Sequence, residues 1–243
     1  MATFCIKIAG CIAQVHSLFD STRDYCKSYL TDEGPVFSVA VSREDLALEQ
    51  RLLDEEADEE GLRRRVFTDP FLERTAIQRK IAENLLLHNV LLIHGSAIAV
   101  DGKGYLFTAK TGTGKSTHTR LWRQVFGSRA VMVNDDKPFR QFAGDSIFLC
   151  GAPWSGKHGL DTNITVPLQG ICILERGTEN TITPVSADVA AAFLRHQCQA
   201  PLDTAKLSLF TQLTNRLPAA PLWRMQCTIS EEAPLVAYEK MKK

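Results

Sequence analysis

Hydrophobic positions change their period near residue 88, and the change divides the chain. Before it, Phe4 to Ala9 and Pro35 to Val41 read as short strands, and Asp20 to Leu30 as a short helix. Ser42, three residues ahead of Asp45, is an N-cap candidate for a helix through about Asp54. Asp69-Pro70 opens a longer helix, with Asp as cap and Pro at the first helical position; Phe71, Ile77, Ile81 and Leu85 keep helical spacing to about His88. Beyond that point short apolar strands dominate: Val90–Ile93, Ala97–Val100, Tyr105–Thr108, Ala130–Val133, Phe139–Phe142, Ile147–Cys150 and Val166–Leu174. Asp101-Gly102 and Gly144-Asp145 mark turns between neighbouring strands. Helices are expected near Ala187–Gln197 and Thr204–Arg216, then a strand Leu222–Cys227 and a last helix opening at Ser230. The pattern therefore predicts an α/β chain with an N-terminal α+β extension or small subdomain, residues 1–88, and a larger domain, residues 89–243.

In the larger domain an apolar strand runs straight into Ala109-Lys110-Thr111-Gly112-Thr113-Gly114-Lys115-Ser116-Thr117 and then a helix. This is a P-loop pattern in the strand–loop–helix context it requires. Glycines let backbone N–H groups face phosphate oxygens, Lys115 reaches the β/γ-phosphates, and the Ser116 hydroxyl can ligand Mg²⁺. The helix that follows turns the positive end of its dipole toward the same anion. The first place of the pattern, commonly Gly, is Ala109 here, while Gly112 and Gly114 keep the close approach. A Gly-Thr-rich hairpin turn, the alternative, would leave Lys115 and Ser116 without a task.

A second apolar run, read as a buried parallel-type strand, ends in Asn134-Asp135-Asp136. Acids at the carboxyl end of a strand stand where open α/β sheets bind ligands. One carboxylate there can hold Mg²⁺ directly or through water, and its neighbour, its pKa raised by the like charge, suits proton acceptance. Asp135 is the candidate metal ligand together with Ser116, and Asp136 the candidate base.

Charge and cysteine usage narrow the classes. Lys plus Arg equals Asp plus Glu, 28 each, giving a formal net charge of zero. That balance argues against a generic nucleic-acid or membrane-surface binder. The seven cysteines are scattered without Cys-x-x-Cys or Cys/His ligand spacing and read as reduced thiols of a cytoplasmic protein. No apolar run has the length of a membrane span, and the N-terminus lacks the basic region of a signal peptide. The acidic block from Asp54 to Glu60, followed by Arg63-Arg64-Arg65, reads as a solvated segment with internal opposite-charge pairing.

His94-Gly95-Ser96, the loop through Ser116-Thr117-His118-Thr119-Arg120-Leu121-Trp122, the run Asn134-Asp135-Asp136-Lys137-Pro138, and Gly151-Ala152-Pro153-Trp154-Ser155-Gly156-Lys157 together resemble the HPr kinase/phosphorylase and phosphoenolpyruvate carboxykinase superfamily, especially its small members. The resemblance covers about residues 90–175. It implies a P-loop on a mixed, bent β-sheet flanked by helices, and transfer of a phosphoryl group from ATP, with Mg²⁺, to a serine-type hydroxyl. Carried over by position, the catalytic set is His94, Lys115 and Asp136. The acceptor is then a hydroxyl on a small molecule, peptide or carrier protein, and a homo-oligomer is admitted.

Where HPr kinases carry a Glu-x-Arg-Gly signature, this chain has Pro153-Trp154-Ser155-Gly156-Lys157. That departure motivates an alternative, a nucleotide-binding regulatory module without phosphotransfer. A phosphoenolpyruvate carboxykinase-like activity is a further alternative, although those enzymes are much longer. A GTPase is disfavoured because no Asn-Lys-x-Asp motif is present. Around the core motifs, Trp154 reads either as a stacking residue or as a buried loop anchor, Lys157 and Arg120 as phosphate contacts, and His118 as belonging to a solvated helix face. Arg176 and Arg195 are candidate charge stabilisers.

Overall fold

The computed structural model describes residues 1–59 and 61–242. Glu60, the end of the acidic block, and the terminal Lys243 lie outside the described residues. The chain is a mixed α/β fold that forms two compact units, residues 1–84 and 85–243.

In the first unit, β1 (Ala2–Ile8) and β2 (Cys11–Ser17) form an antiparallel hairpin. Its turn is Ala9-Gly10, both with positive φ (50° and 75°), the conformation that matches the twist of the flanking strands. The sequence pattern predicts a strand only as far as Ala9 and carries no signal for β2, because Ala in a left-handed position is a rare turn signal. α1 (Asp20–Tyr25) is shorter than expected and gives way to a 3-10 turn, after which β3 (Leu30–Thr31) pairs with β1. β4 (Phe37–Ala40) lies parallel to β2, giving the order β3-β1-β2-β4. α2 (Arg43–Glu59) starts on a reciprocal cap: Asp45 accepts the Ser42 amide at 2.8 Å and Ser42 Oγ accepts the Asp45 amide at 3.4 Å. It runs on through the acidic block to Glu59, and Arg64 pairs with Asp58 in solvent.

α3 (Asp69–Leu85) buries Leu72, Ala76, Ile77 and Ile81, whereas Phe71 is partly exposed and stacks on Phe67. Two buried acids on these helices are compensated. Glu73 accepts from the Leu18 and Phe19 amides and the Thr22 hydroxyl. Arg79 bonds Glu49 at 2.6 Å and stands beside Asp45 and Glu83. Removing one partner of such a pair would leave an uncompensated buried charge.

The second unit contains β5 (Val90–Leu92), β6 (Ser96–Val100), β7 (Lys103–Thr108), α4 (Lys115–Phe126), β8 (Ala130–Asn134), β9 (Phe139–Ala143), β10 (Ser146–Cys150), β11 (Thr165–Arg176), β12 (Thr181–Pro184), α5 (Ala187–His196), α6 (Leu207–Asn215), β13 (Leu222–Cys227) and α7 (Glu232–Met241). The sheet is mixed, with the path β5-β9-β10-β11-β7-β6-β8. It branches at β11, whose first residues pair with β10 and whose last pair in parallel with β13. β8 is an edge strand antiparallel to β6, with Val131 exposed, rather than the enclosed parallel strand expected.

Residues on β7 and β11 alternate between two cores. Leu106, Ile171 and Ile173 face a cluster with Leu194, Phe210 and Leu213 of α5 and α6. Tyr105, Phe107, Cys172 and Leu174 face one with Trp122 of α4 and Ala233 and Ala237 of α7. Helices therefore cover both sides of the central strands, and Trp122, fully buried among Tyr105, Phe107, Phe126 and Tyr238, fixes α4 on the sheet. Truncating such a side chain costs about 3–5 kcal/mol. β7, β8, β11 and β13 all run the same way, so their carboxyl ends share one edge of the unit.

Candidate functional site

Four segments converge on that edge: the loop after β7, residues 94–96 at the start of β6, the turn after β8, and the end of β11. The loop begins at Ala109, whose methyl is buried in the core under α4, which is why this place accepts a side chain. Lys110, Thr111 and Gly112 are exposed, and the Thr113 amide turns back to the Lys110 carbonyl at 3.2 Å. Gly112 and Gly114 have φ of 76° and 121°, which side-chain-bearing residues adopt only under strain. Open space surrounds the position a Gly112 Cβ would take.

Gly114 caps α4, and the first bond of the helix is His118 N–H to the Gly114 carbonyl at 2.9 Å. The amides ahead of it, those of residues 115–117, are the ones a helix start offers to an anion. Lys115 is buried with its ammonium folded back on the Ala109 carbonyl at 3.3 Å, while Ser116 and Thr117 are half-buried. At the far side of the loop, Arg176 donates to the Gly112 carbonyl at 2.7 Å.

The acidic turn is held by the residue before it. Asn134 Oδ1 accepts the amides of Asp136 (2.9 Å) and Lys137 (2.6 Å), and its Nδ2 donates to the carbonyls of Ala152 and Trp154. A single buried amide side chain thus shapes the acid turn and ties it to the loop 151–161. Asp135 is 6% exposed, and its Oδ1 accepts from Ser96 Oγ at 2.6 Å and Thr119 Oγ1 at 3.4 Å. Ser96 and Thr119 are themselves 2.7 Å apart, so Asp135 clamps β6 to the first turns of α4. The hydroxyl of α4 that meets this carboxylate is Thr119, one turn beyond Ser116.

Asp136 has a different partner, with its Oδ1 3.4 Å from His94 Nε2. Burial pushes its carboxyl up, Asp135 adds to that, and Lys137 and Lys115 act against it. Burial also lowers His94 to about 3, reinforced by Lys137 and Lys115. At neutral pH the imidazole is neutral and orients Asp136 as a dipole rather than as a counter-ion. The His94 main chain is fixed by its N–H, which donates a hydrogen bond to the Gln197 carbonyl (2.7 Å), and its carbonyl accepts from the Thr108 hydroxyl. Gly95 is required between them: a Cβ there would stand 2.8 Å from Leu106 Cδ1 and 2.9 Å from the Phe107 carbonyl.

Among the flanking residues, Trp154 is buried as a loop anchor, and Lys157 and His158 stand exposed on the tip 156–159. His118 corrects the expectation of a solvated face. It is 3% exposed, accepts from Trp122 Nε1 at 3.0 Å, and burial lowers it to about 4. Arg195 bonds Asn215 in solvent and Arg120 is exposed.

Sequence reasoning missed Ser96, Thr119 and Asn134 as the supports of the acid pair. For Asn134 a signal existed, since an Asn whose side chain caps its own turn two residues on is a common device. Oxygen donors at Asp135 and Ser116 are of the kind Mg²⁺ takes, with one or two carboxylates beside substrate phosphates. Among the described residues no group of three or more His, Cys, Asp or Glu is placed to hold a metal, no helix is long and apolar enough to cross a membrane, and none of the seven cysteines is in a disulfide.

A family model described as SynChlorMet cassette protein ScmC matches residues 72–235. No curated protein matches the sequence. Among solved structures, the Hpr(Ser) kinase/phosphatase from Coxiella burnetii is similar over 63% of this chain and 99% of its own, at 9% identity and a TM-score of 0.37.

Proposed function

The chain belongs to the ScmC family of SynChlorMet cassette proteins, and we propose that it is an ATP- and Mg²⁺-dependent phosphotransferase whose acceptor is a hydroxyl on a small molecule, peptide or carrier protein. One observation carries the reading. The loop bearing Lys115 and the acid turn meet at one sheet edge, where Asp135 is hydrogen-bonded into the helix that the loop opens and Asp136 lies 3.4 Å from His94. A glycine turn with only a structural task has no need of a buried lysine on one side and a carboxylate with a raised pKa on the other.

In this reading residues 109–117 are a P-loop. The amides of residues 112–117 and the Lys115 ammonium hold the β- and γ-phosphates. Ser116 and Asp135 would hold Mg²⁺, which would supply neutralisation of charge on the transferring phosphoryl group. Asp136 receives the proton of the acceptor hydroxyl at its carboxylate. Its elevated pKa makes it a stronger base than an exposed aspartate, and neutral His94 keeps that carboxylate aimed. The Asn134 clasp holds Asp136 in place without contributing charge. Residues 89–243 form the phosphotransferase domain, and residues 1–88 are an extension to it.

Incubation with γ-labelled ATP and a panel of hydroxyl acceptors, read by mass spectrometry for an added phosphoryl group, tests the proposal. Asp136→Asn is expected to abolish transfer while ATP still binds. Full transfer by Asp136→Asn would overturn the base assignment, and binding of ATP with no transfer to any acceptor would favour the regulatory module.

A further inference from the structure

Opposite the acid turn, the loop borders a cavity of about 380 Å³ formed by the carboxyl end of β11, Arg224 of β13 and Phe193 of α5. We propose that this cavity takes the nucleoside half of the nucleotide; the assignment rests on the loop being the phosphate cradle described above. Across the shared edge the strands follow in the order β8, β6, β7, β11, β13. Neighbouring strands are about 4.8 Å apart, so the acid turn and the end of β13 each lie about 10 Å from the loop, on opposite sides.

A triphosphate seated in the loop has to point one end each way. Its terminal phosphoryl group belongs with Lys115, Asp135 and Asp136, which leaves the sugar and base for the cavity. A hydroxyl acceptor placed there would be separated from Asp136 by the loop itself.

The lining fits that occupant. Its volume falls in the lower end of the range of about 300–1,000 Å³ for small-molecule sites. Lys110 and Thr113 of the loop form one wall, so the cavity opens directly onto the cradle. Arg176 and Arg224 add two more cations against one carboxylate, Glu175, which Arg224 holds at 3.4 Å. The Arg176 guanidinium, bonded to the loop, suits the phosphate nearest the sugar, and the Glu175 carboxylate that Arg224 fixes accepts from sugar hydroxyls or a ring amine. Phe193 supplies an aromatic face of the type on which bases stack. Arg176 also bonds the Gly112 carbonyl at 2.7 Å, so filling the cavity steadies the loop that grips the phosphates.

Calorimetric titration with ATP and with inorganic tripolyphosphate, both with Mg²⁺, separates the two halves of the ligand. The unsubstituted protein is expected to bind ATP more tightly than tripolyphosphate. Phe193→Ala and Arg224→Gln are each expected to weaken ATP about tenfold and leave tripolyphosphate unchanged. Unaltered tripolyphosphate affinity also reports a folded loop, and Arg224, a half-exposed side chain, guards against loss of fold in the Phe193 variant. Equal affinity of the unsubstituted protein for both ligands, or variants that leave ATP binding unchanged, would overturn the cavity assignment alone. Failure of both ligands to bind would remove the phosphate cradle and this assignment with it.

Discussion

Gly156 and Gly159 bracket the exposed tip of the loop beside the acid turn, and they allow the position of Asp136 to be tested against backbone strain alone. Both have positive φ, 71° and 58°. An alanine at either site therefore carries the same left-handed penalty, about 1–2 kcal/mol. Their surroundings differ. A Cβ on Gly159 would meet nothing within 4 Å, whereas a Cβ on Gly156 would stand 3.1 Å from Asp136 Cβ and 3.5 Å from its carboxyl carbon, so Asp136 has to give by a few tenths of an ångström.

Displacement of a reacting group by about 1 Å costs about a hundredfold in rate. A shift of a few tenths therefore predicts a loss of roughly three- to tenfold, with ATP affinity unchanged because Lys115 and the loop amides are not touched. Gly159→Ala is expected to lower the melting temperature by no more than Gly156→Ala does and to keep its rate. The assay is steady-state turnover of ATP, with water in place of the acceptor, beside thermal melts of both variants. Equal turnover by the two, at equal stability, would refute the placing of Asp136 at the reacting atoms.

Further outcomes follow from the same geometry. Because Lys137 holds the Asp136 carboxyl down against burial, Lys137→Met is expected to move the acidic limb of the pH–rate profile to higher pH; a shift the other way would contradict the electrostatics. His94 is lowered in the fold from 6.5 to about 3, so it contributes stability above its unfolded value that is lost as pH falls toward 3. His94→Gln should accordingly flatten the decline of melting temperature over that window, and an unchanged slope would show the imidazole to be solvated. Gly95→Ala drives a methyl against Leu106 and the Phe107 carbonyl and is expected to cost about 1–3 kcal/mol in chemical denaturation. Arg140 is fully buried, its three guanidinium nitrogens have no hydrogen-bond partner among the described residues, and burial lowers it to about 10, which keeps it charged. Arg140→Met should leave stability unchanged or raise it by about 1 kcal/mol or more; a loss above about 2 kcal/mol would show that the guanidinium has a counter-ion.

What could be read ahead of the structure was what depends on local chain chemistry. Strand β7, the loop, α4 and the hairpin turn at Asp101-Gly102 each carry their signal within a few residues, and so does the cap at Ser42; Asp69, expected as a cap, is instead the first residue of α3, whose first bond runs from the Leu72 amide to the Thr68 carbonyl. Less legible was what depends on partners distant in sequence. β2 follows a turn built on Ala9, whose left-handed conformation only the pairing of Ile8 with Cys11 makes worthwhile. His118 sits in a polar-looking stretch, but the aromatic ring of Phe107 and the indole of Trp122 enclose it.

The same distinction runs through the candidate site. The residues that would touch phosphate or proton, Lys115 and Asp136, announce themselves by spacing and type. Those that decide where these groups point do not. Asp135 is positioned by Ser96 and Thr119 at sequence separations of 39 and 16, and Asp136 by Asn134, His94 and the absent side chain of Gly156. A one-dimensional pattern selects chemistry because chemistry resides in single side chains. Geometry resides in contacts between segments, and here three strand ends and one helix must fold against each other before an aspartate and a histidine stand 3.4 Å apart.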